Sequence, residues 1–134
     1  MTVDTSAVFT VLLQEPGFEA VAREFEQAEE LRISAATLVE CHAVAIRGKN
    51  PELVHNLVGF LKSYGIIVEP FTPEQAEIAA RAYRDYGRGS GHPANLNLGD
   101  VYSYALAKTH HEPVLCTGDD LSRTDLRTRP EPTA

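Results

Sequence analysis

Four acidic residues, Asp4, Glu40, Asp100 and Asp119, lie far apart in the chain, each beside an apolar stretch that reads as core. Burying an unpaired carboxylate costs roughly several kcal/mol even after relaxation, so acids gathered in one pocket call for a positive charge. An oxygen-only donor set suits a hard divalent cation such as Mg2+ or Mn2+. Ions of that kind activate water and neutralise a departing oxygen, the chemistry of phosphate ester cleavage. Taken singly, each acid has a plainer reading. A strand-end Asp is commonly a turn or cap residue, Asp100 after Gly99 would favour the positive end of a helix dipole, and Glu40 could simply reach solvent. Their joint placement carries the argument, with Asp120, next to Asp119, as an alternative fourth acid.

The elements that would position these acids follow from the apolar pattern. Thr2 to Thr5 reads as a strand, with Ser6 as the cap of a helix through Gln14, broken by Glu15-Pro16-Gly17. Phe18, Val21, Ala22 and Phe25 recur at helical spacing and leave their glutamates outward. Leu31 to Ile33 is a second short strand. Ser34 caps a helix to about Arg47, with Leu38, Val39, Ala45 and Ile46 as core candidates; Pro51 opens the next, to about Tyr64. Ile66-Ile67-Val68 is β-branched throughout and reads as a buried strand, and Thr72-Pro73-Glu74-Gln75 launches a helix through about Arg88 with a candidate capping box. Gly87 to Asn97 is a glycine-rich loop before a helix from about Leu98 to His110, and Val114 to Cys116 closes the pattern as a strand. Strands alternate with helices, which predicts an α/β fold with a mostly parallel sheet covered on both faces. Ligands in such folds bind at the carboxyl ends of the strands, where Asp4 and Asp119 fall.

The flanks of the acids add a resemblance. Met1-Thr2-Val3-Asp4-Thr5-Ser6-Ala7 is similar to the opening of PIN-domain nucleases, a strand delivering Asp followed two positions on by Ser or Thr. The segment from Leu96 to Ala107, around Gly99-Asp100-Val101-Tyr102-Ser103, resembles the third-acid motif of the VapC toxins in that superfamily, and Val114 to Leu126, around Thr117-Gly118-Asp119-Asp120, their closing motif. The resemblance implies a PIN-like three-layer α/β/α sandwich over residues 1–126 with a short tail over 127–134. It implies a type II toxin acting as an endoribonuclease dependent on Mg2+ or Mn2+. Asp4 and Asp100 would be direct metal ligands; Glu40 and Asp119 would bind a second ion, orient water or act as base; Ser6 and Ser103 would orient the ligands. A homodimer and a cognate antitoxin partner are implied as well. Two other readings are weighed. Phosphotransfer through an aspartyl phosphate would want a second acid two positions after Asp4, where Ser6 stands, and a Lys following a strand, which is lacking. A catalytically inactive PIN-like binding module would have no reason to keep four costly acids together.

Composition sets outer limits. The chain has 134 residues, 43% hydrophobic and 23% charged, enough for one globular domain with a real core. No stretch approaches the roughly 20 apolar residues of a membrane span, and Asp4 interrupts any signal-like start, so a cytoplasmic protein is expected. Cys41 and Cys116 read as core thiols. A net charge of -7 argues against binding nucleic acid by general attraction, so an RNA partner, such as tRNA or another structured RNA, would be recognised locally and by shape. His92 in the glycine-rich loop and the cluster Arg123, Arg127 and Arg129 are candidate substrate contacts. Gly87-Arg88-Gly89-Ser90-Gly91 is not a phosphate loop, since it follows a helix and lacks the Gly-Lys-Ser/Thr ending.

Overall fold

The computed structural model describes residues 1–132. The chain runs β1 (Thr2–Val3), α1 (Thr5–Leu12), α2 (Phe18–Gln27), β2 (Arg32–Ser34), α3 (Ala35–Arg47), α4 (Pro51–Ser63), β3 (Ile67–Glu69), α5 (Pro73–Tyr86), α6 (Leu98–His110), β4 (Val114–Leu115) and β5 (Thr128–Arg129). The five strands form one sheet in the order β3-β2-β1-β4-β5, and every neighbouring pair is parallel. β1 is therefore central, with Thr2 opposite both Arg32 of β2 and Val114 of β4.

Two hydrophobic clusters fill the two faces. Val8, Val21, Phe25, Cys41, Leu57 and Leu115 belong to one, with helices α1 to α4; Ala79, Ala82, Val101, Val114 and Cys116 belong to the other, with α5 and α6. Successive residues of a strand point to opposite faces, which is why Leu115 joins the first cluster and its two neighbours the second. The three-layer α/β/α arrangement expected from the sequence is the one observed.

Local chemistry starts and stops the helices largely as expected. Asn50 and Thr72 accept hydrogen bonds from Glu52 N (3.0 Å) and Gln75 N (3.1 Å), ahead of prolines in the first turns of α4 and α5. Only half of the capping box at Thr72 is made: Gln75 is buried and its Oε1 has no partner.

Several sequence expectations need correction. Asp4, not Ser6, caps α1, because its carboxylate accepts from Ser6 N and the helix begins two residues earlier than expected. The run at Ile66 to Val68 is an edge strand rather than a buried one: Ile66 is buried, but Ile67 and Val68 are 40% and 48% exposed, since among the described residues no strand lies beyond β3. Val39 and Ile46, expected in the core, are 69% and 64% exposed on α3. α5 ends at Tyr86, and the loop after it is pinned by an isolated bridge between Gly87 and Leu96. Thr128 and Arg129, in the segment read as a tail, add β5 beside β4; residues 133 and 134 of that segment lie outside the described residues.

Candidate active site

The strand order changes direction at β1: β2 and β3 lie on one side, and the chain then crosses back to place β4 on the other. Such a reversal opens a crevice beyond the carboxyl ends of the two strands that flank it. Asp4 follows β1 there and its N–H donates to Leu115 O of β4 (3.0 Å). A wide cleft lined by Met1, Gln27, Glu30 and Arg32 lies at the opposite ends of the strands, so room alone does not mark the site.

Asp4 is 5% exposed, and three donors hold its carboxylate. Ser103 Oγ donates to Oδ1 (2.6 Å), while Ser6 donates to Oδ2 from both its N–H (3.1 Å) and its Oγ (2.6 Å). Ser6 Oγ in turn accepts from Thr117 N (3.0 Å), which ties α1 to the turn after β4. Both serines named from the sequence thus touch Asp4 directly. Thr117 was not foreseen; its hydroxyl also shares a hydrogen bond with buried Thr10 (3.1 Å).

Asp100 sits at the third position of α6, where it closes a capping box with Asn97: Asn97 Oδ1 accepts from Asp100 N and Asp100 Oδ2 accepts from Asn97 N, both at 2.9 Å. Asn97 carried a readable signal, an Asx residue three positions before an acid at a helix start. Burial pushes the Asp100 carboxyl up to about 7, against the lowering effect of the Asn97 N–H, and the negative charges of Asp4, Asp120 and Glu40 raise it further.

Glu40, on α3, accepts a 2.5 Å hydrogen bond from Thr5 Oγ1. Its carboxyl is also raised, first by burial and then by Asp4. The reason a glycine precedes Asp100 appears here. A Cβ on Gly99 would fall 1.9 Å from Glu40 Oε2, so only a bare backbone lets α3 and α6 bring their acids together. Neither Thr5 nor Gly99 was singled out from the sequence, because each owes its importance to a residue more than thirty positions away.

The two adjacent aspartates part company. Asp119 turns outward, 64% exposed, and pairs with Arg123 Nη2 at 2.6 Å. Asp120 is exposed as well, yet its charge reaches both Asp100 and Cys116. Among the described residues, no three His, Cys, Asp or Glu side chains already stand as a preassembled ligand group. The four acids first named therefore do not meet in one pocket: Asp4, Glu40 and Asp100 are neighbours, and Asp119 is not among them.

Charge pairing distinguishes the two ends of the sheet. At the amino ends, Arg32 pairs with Glu112 (2.5 Å), Glu30 (2.8 Å) and Glu69 (3.7 Å), and the amino group of Met1 pairs with Glu112 (3.1 Å). At the carboxyl ends, none of Asp4, Glu40 and Asp100 has a Lys or Arg partner among the described residues. Glu40 and Asp100, both raised by burial and by the charge of Asp4 and neither in an ion pair, fit a hard divalent cation.

The other candidates take structural parts. His92 Nδ1 accepts from Ala94 N (3.0 Å) and its ring stacks edge-on against Tyr86, so it organises its own loop. Arg123 bonds Pro93 O (3.2 Å) as well as Asp119, and Arg129 pairs with Glu131 (3.0 Å). Cys41 and Cys116 are free and buried, with their thiols pushed by burial to about 12, as core thiols should be.

The pattern of the PIN domain family matches residues 1–126. The chain belongs to the PIN-domain family. Ribonuclease VapC42 of Mycobacterium tuberculosis is 48% identical to it over 127 residues, which cover 95% of this chain and 97% of the relative. Among solved structures, VapC20 of M. tuberculosis, described as a sarcin-ricin loop cleaving toxin, has a TM-score of 0.75 at 16% identity, covering 93% of this chain and 95% of that one. VapBC2 from Rickettsia felis, bound to a DNA fragment from its promoter, also gives a TM-score of 0.75, at 11% identity and 96% coverage of both chains. At such identities these structures support the PIN fold; the VapC relatives bear on what this PIN domain does. No helix among its described residues is long and apolar enough to cross a membrane.

Proposed function

We propose that this PIN domain is the toxin of a type II toxin-antitoxin pair, an endoribonuclease that hydrolyses RNA phosphodiester bonds with the help of Mg2+ or Mn2+. The observation that carries the metal is the contrast at the two ends of the sheet: acids paired with cations at one, unpaired acids crowding Asp100 at the other. VapC ribonucleases at up to 48% identity over nearly the whole chain support the reaction class.

In this reading Asp4 and Asp100 hold the cation. Asp4 is fixed by Ser103 and Ser6, so its oxygens cannot swing away, and Asp100 is held by Oδ2 alone, which leaves Oδ1 free to bind. When bound, a divalent ion lowers the pKa of a water molecule and screens the charge that builds on the departing oxygen. Glu40, kept in place by Thr5, completes the acidic wall and accepts the proton that the attacking water gives up. Asp120 rather than Asp119 is the fourth acid, because Asp119 is engaged with Arg123 while the Asp120 charge is felt by Asp100.

The partners in this reading are a cognate antitoxin, a second copy of the chain, and tRNA or another structured RNA, all in the cytoplasm. Val39 and Ile46, two turns apart on α3 and both exposed, supply apolar helical surface for the dimer to cover. The deciding experiment is incubation with total cellular RNA and mapping of new 5′ ends. A handful of sharp cuts, lost in EDTA and restored by Mg2+ or Mn2+, is expected; RNA left intact with either metal defeats the reading.

A further inference from the structure

Past the acidic crevice the chain carries a second surface with the marks of a nucleic-acid contact. Seven of its twelve Lys and Arg residues fall at or after position 81, although the whole chain is acidic. Arg81 and Arg84 stand about one turn apart near the end of α5, Arg88 lies just beyond it, and all three are exposed. Arg81 shares a cleft with Lys108 of α6. Of the acids there, Asp85 is bonded to Arg84 Nε (2.8 Å) and Asp125 is paired with Lys108 (2.7 Å), while Arg81 and Arg88 have no ion-pair partner among the described residues.

An aromatic ring lies beside Arg84, around the end of the helix from Arg81. Tyr83 is 37% exposed, and its ring lies over Gly87: a Cβ there would fall 2.9 Å from Tyr83 Cγ and 2.3 Å from the Tyr83 carbonyl oxygen. The glycine is thus what makes room for the partly exposed ring beside the turn. This surface is joined to the crevice by backbone. Arg88 N donates to Leu96 O (3.0 Å) and Leu96 N to Tyr86 O (2.9 Å), and the residue after Leu96 is Asn97, which caps the helix bearing Asp100.

We propose that the single-stranded RNA flanking the scissile bond follows a track round this end of α5, with Arg81, Arg84 and Arg88 taking backbone phosphates and Tyr83, on the far side of the helix from Arg81, stacking one base. The inference deepens the ribonuclease reading by assigning the substrate's path, and rests on it for the direction toward Asp100. Cations beside a partly exposed ring are what sequence-tolerant binding of a single strand uses. The chain's overall charge gives no general attraction, so this patch supplies most of what backbone affinity there is.

The test measures binding of fluorescein-labelled oligouridine by anisotropy across a salt series, in the Asp100→Asn background so that the strand survives. The combined variant R81Q/R84Q/R88Q should weaken binding about tenfold or more and make the log-log salt slope shallower by about 2, because each phosphate left unneutralised on a single strand takes about 0.7 off it. Tyr83→Ala should weaken binding at least about fivefold and Tyr83→Phe should not, as stacking needs the ring and not the hydroxyl. Arg-to-Lys changes at the three positions keep the charge and should keep the slope, which separates charge loss from any folding defect. Neutralising Arg23, Lys49 and Lys62 instead should change nothing. In cleavage, the three-arginine variant should raise KM with kcat within about twofold. An unchanged slope and affinity in the three-arginine variant, or oligouridine left unbound by the parent chain, overturns the track. A chain that binds through these residues but leaves RNA uncut with Mg2+ or Mn2+ keeps the track and removes the ribonuclease reading instead.

Discussion

Ser103 and Asp4, 99 positions apart in the chain, meet in a 2.6 Å hydrogen bond in which both residues are buried. It joins the second turn of α6 to the end of β1, so the geometry of the acidic crevice depends on how a late helix packs beside the first strand. Ser103→Ala would leave Asp4 Oδ1 buried without its donor. The expected cost is about 1–3 kcal/mol in denaturant unfolding, with metal affinity reduced about 10- to 100-fold, read by calorimetric titration of Mn2+. Retention of wild-type stability and affinity would show that Ser103 contributes nothing to holding the carboxylate.

The raised carboxyl of Asp100 gives a pH dependence with a definite sign. Its folded-state pKa of about 7 exceeds the ordinary 3.8, so between these values the folded chain binds more protons than the unfolded one. This contribution to stability is fully present below about pH 4 and is lost as pH rises through about 7. In metal-free buffer, Asp100→Asn should therefore melt higher than the parent at pH 8, and the gap should shrink as pH falls below 7. Added Mg2+ should raise the parent's Tm at pH 8 but hardly that of the variant. An equal gap at pH 5 and pH 8 would contradict the assignment.

Gly99→Ala tests the close approach of α3 and α6. The new Cβ meets the end of a flexible side chain, Glu40, so the fold should survive with a modest loss of stability while Glu40 is displaced. RNA cleavage should fall far more than stability does. Gly59→Ala is the contrast, because nothing lies within 4 Å of a Cβ there and α4 should gain about 0.5–1 kcal/mol. Full activity in Gly99→Ala would mean that Glu40 need not stand where it does.

Asp119→Asn and Asp120→Asn separate the two adjacent acids. Loss of cleavage in the second and near-normal rates in the first are expected. The reverse order would return the fourth acidic role to Asp119 and would require it to leave Arg123 when substrate or metal binds.

Much of the architecture could be read from short-range signals. The order of helices and strands followed from apolar periodicity and from caps and prolines, and Asp4, Glu40 and Asp100 were recognisable because costly acids adjoined apolar segments. The misreadings share a cause: each depended on contacts far away in sequence. Whether Ile67 and Val68 are covered depends on whether a strand pairs beyond β3. Val39 and Ile46 look like core until α3 is seen to have more apolar surface than the core can cover. Asp119 and Asp120 occupy the same turn and are both exposed, and only the pairing of Asp119 with Arg123 tells them apart. Ser6 against Asp4 as the cap differs by two residues, and both can play the part. The tail became a strand because β4 had an open edge for Thr128 and Arg129 to join.

The strand order has a consequence for how the molecule is made. β1 leaves the ribosome well ahead of one of its two neighbours, β4, which begins only at Val114. Until that stretch has emerged, Asp4 lacks the Leu115 carbonyl that receives its N–H, and the turn bearing Thr117 and Asp120 does not yet exist. A nascent or prematurely terminated chain therefore carries the acids without their arrangement. The crevice is assembled only after Val114 to Asp120 have been made, and in the ribonuclease reading the growing polypeptide stays inert until then beside the RNA that encodes and decodes it.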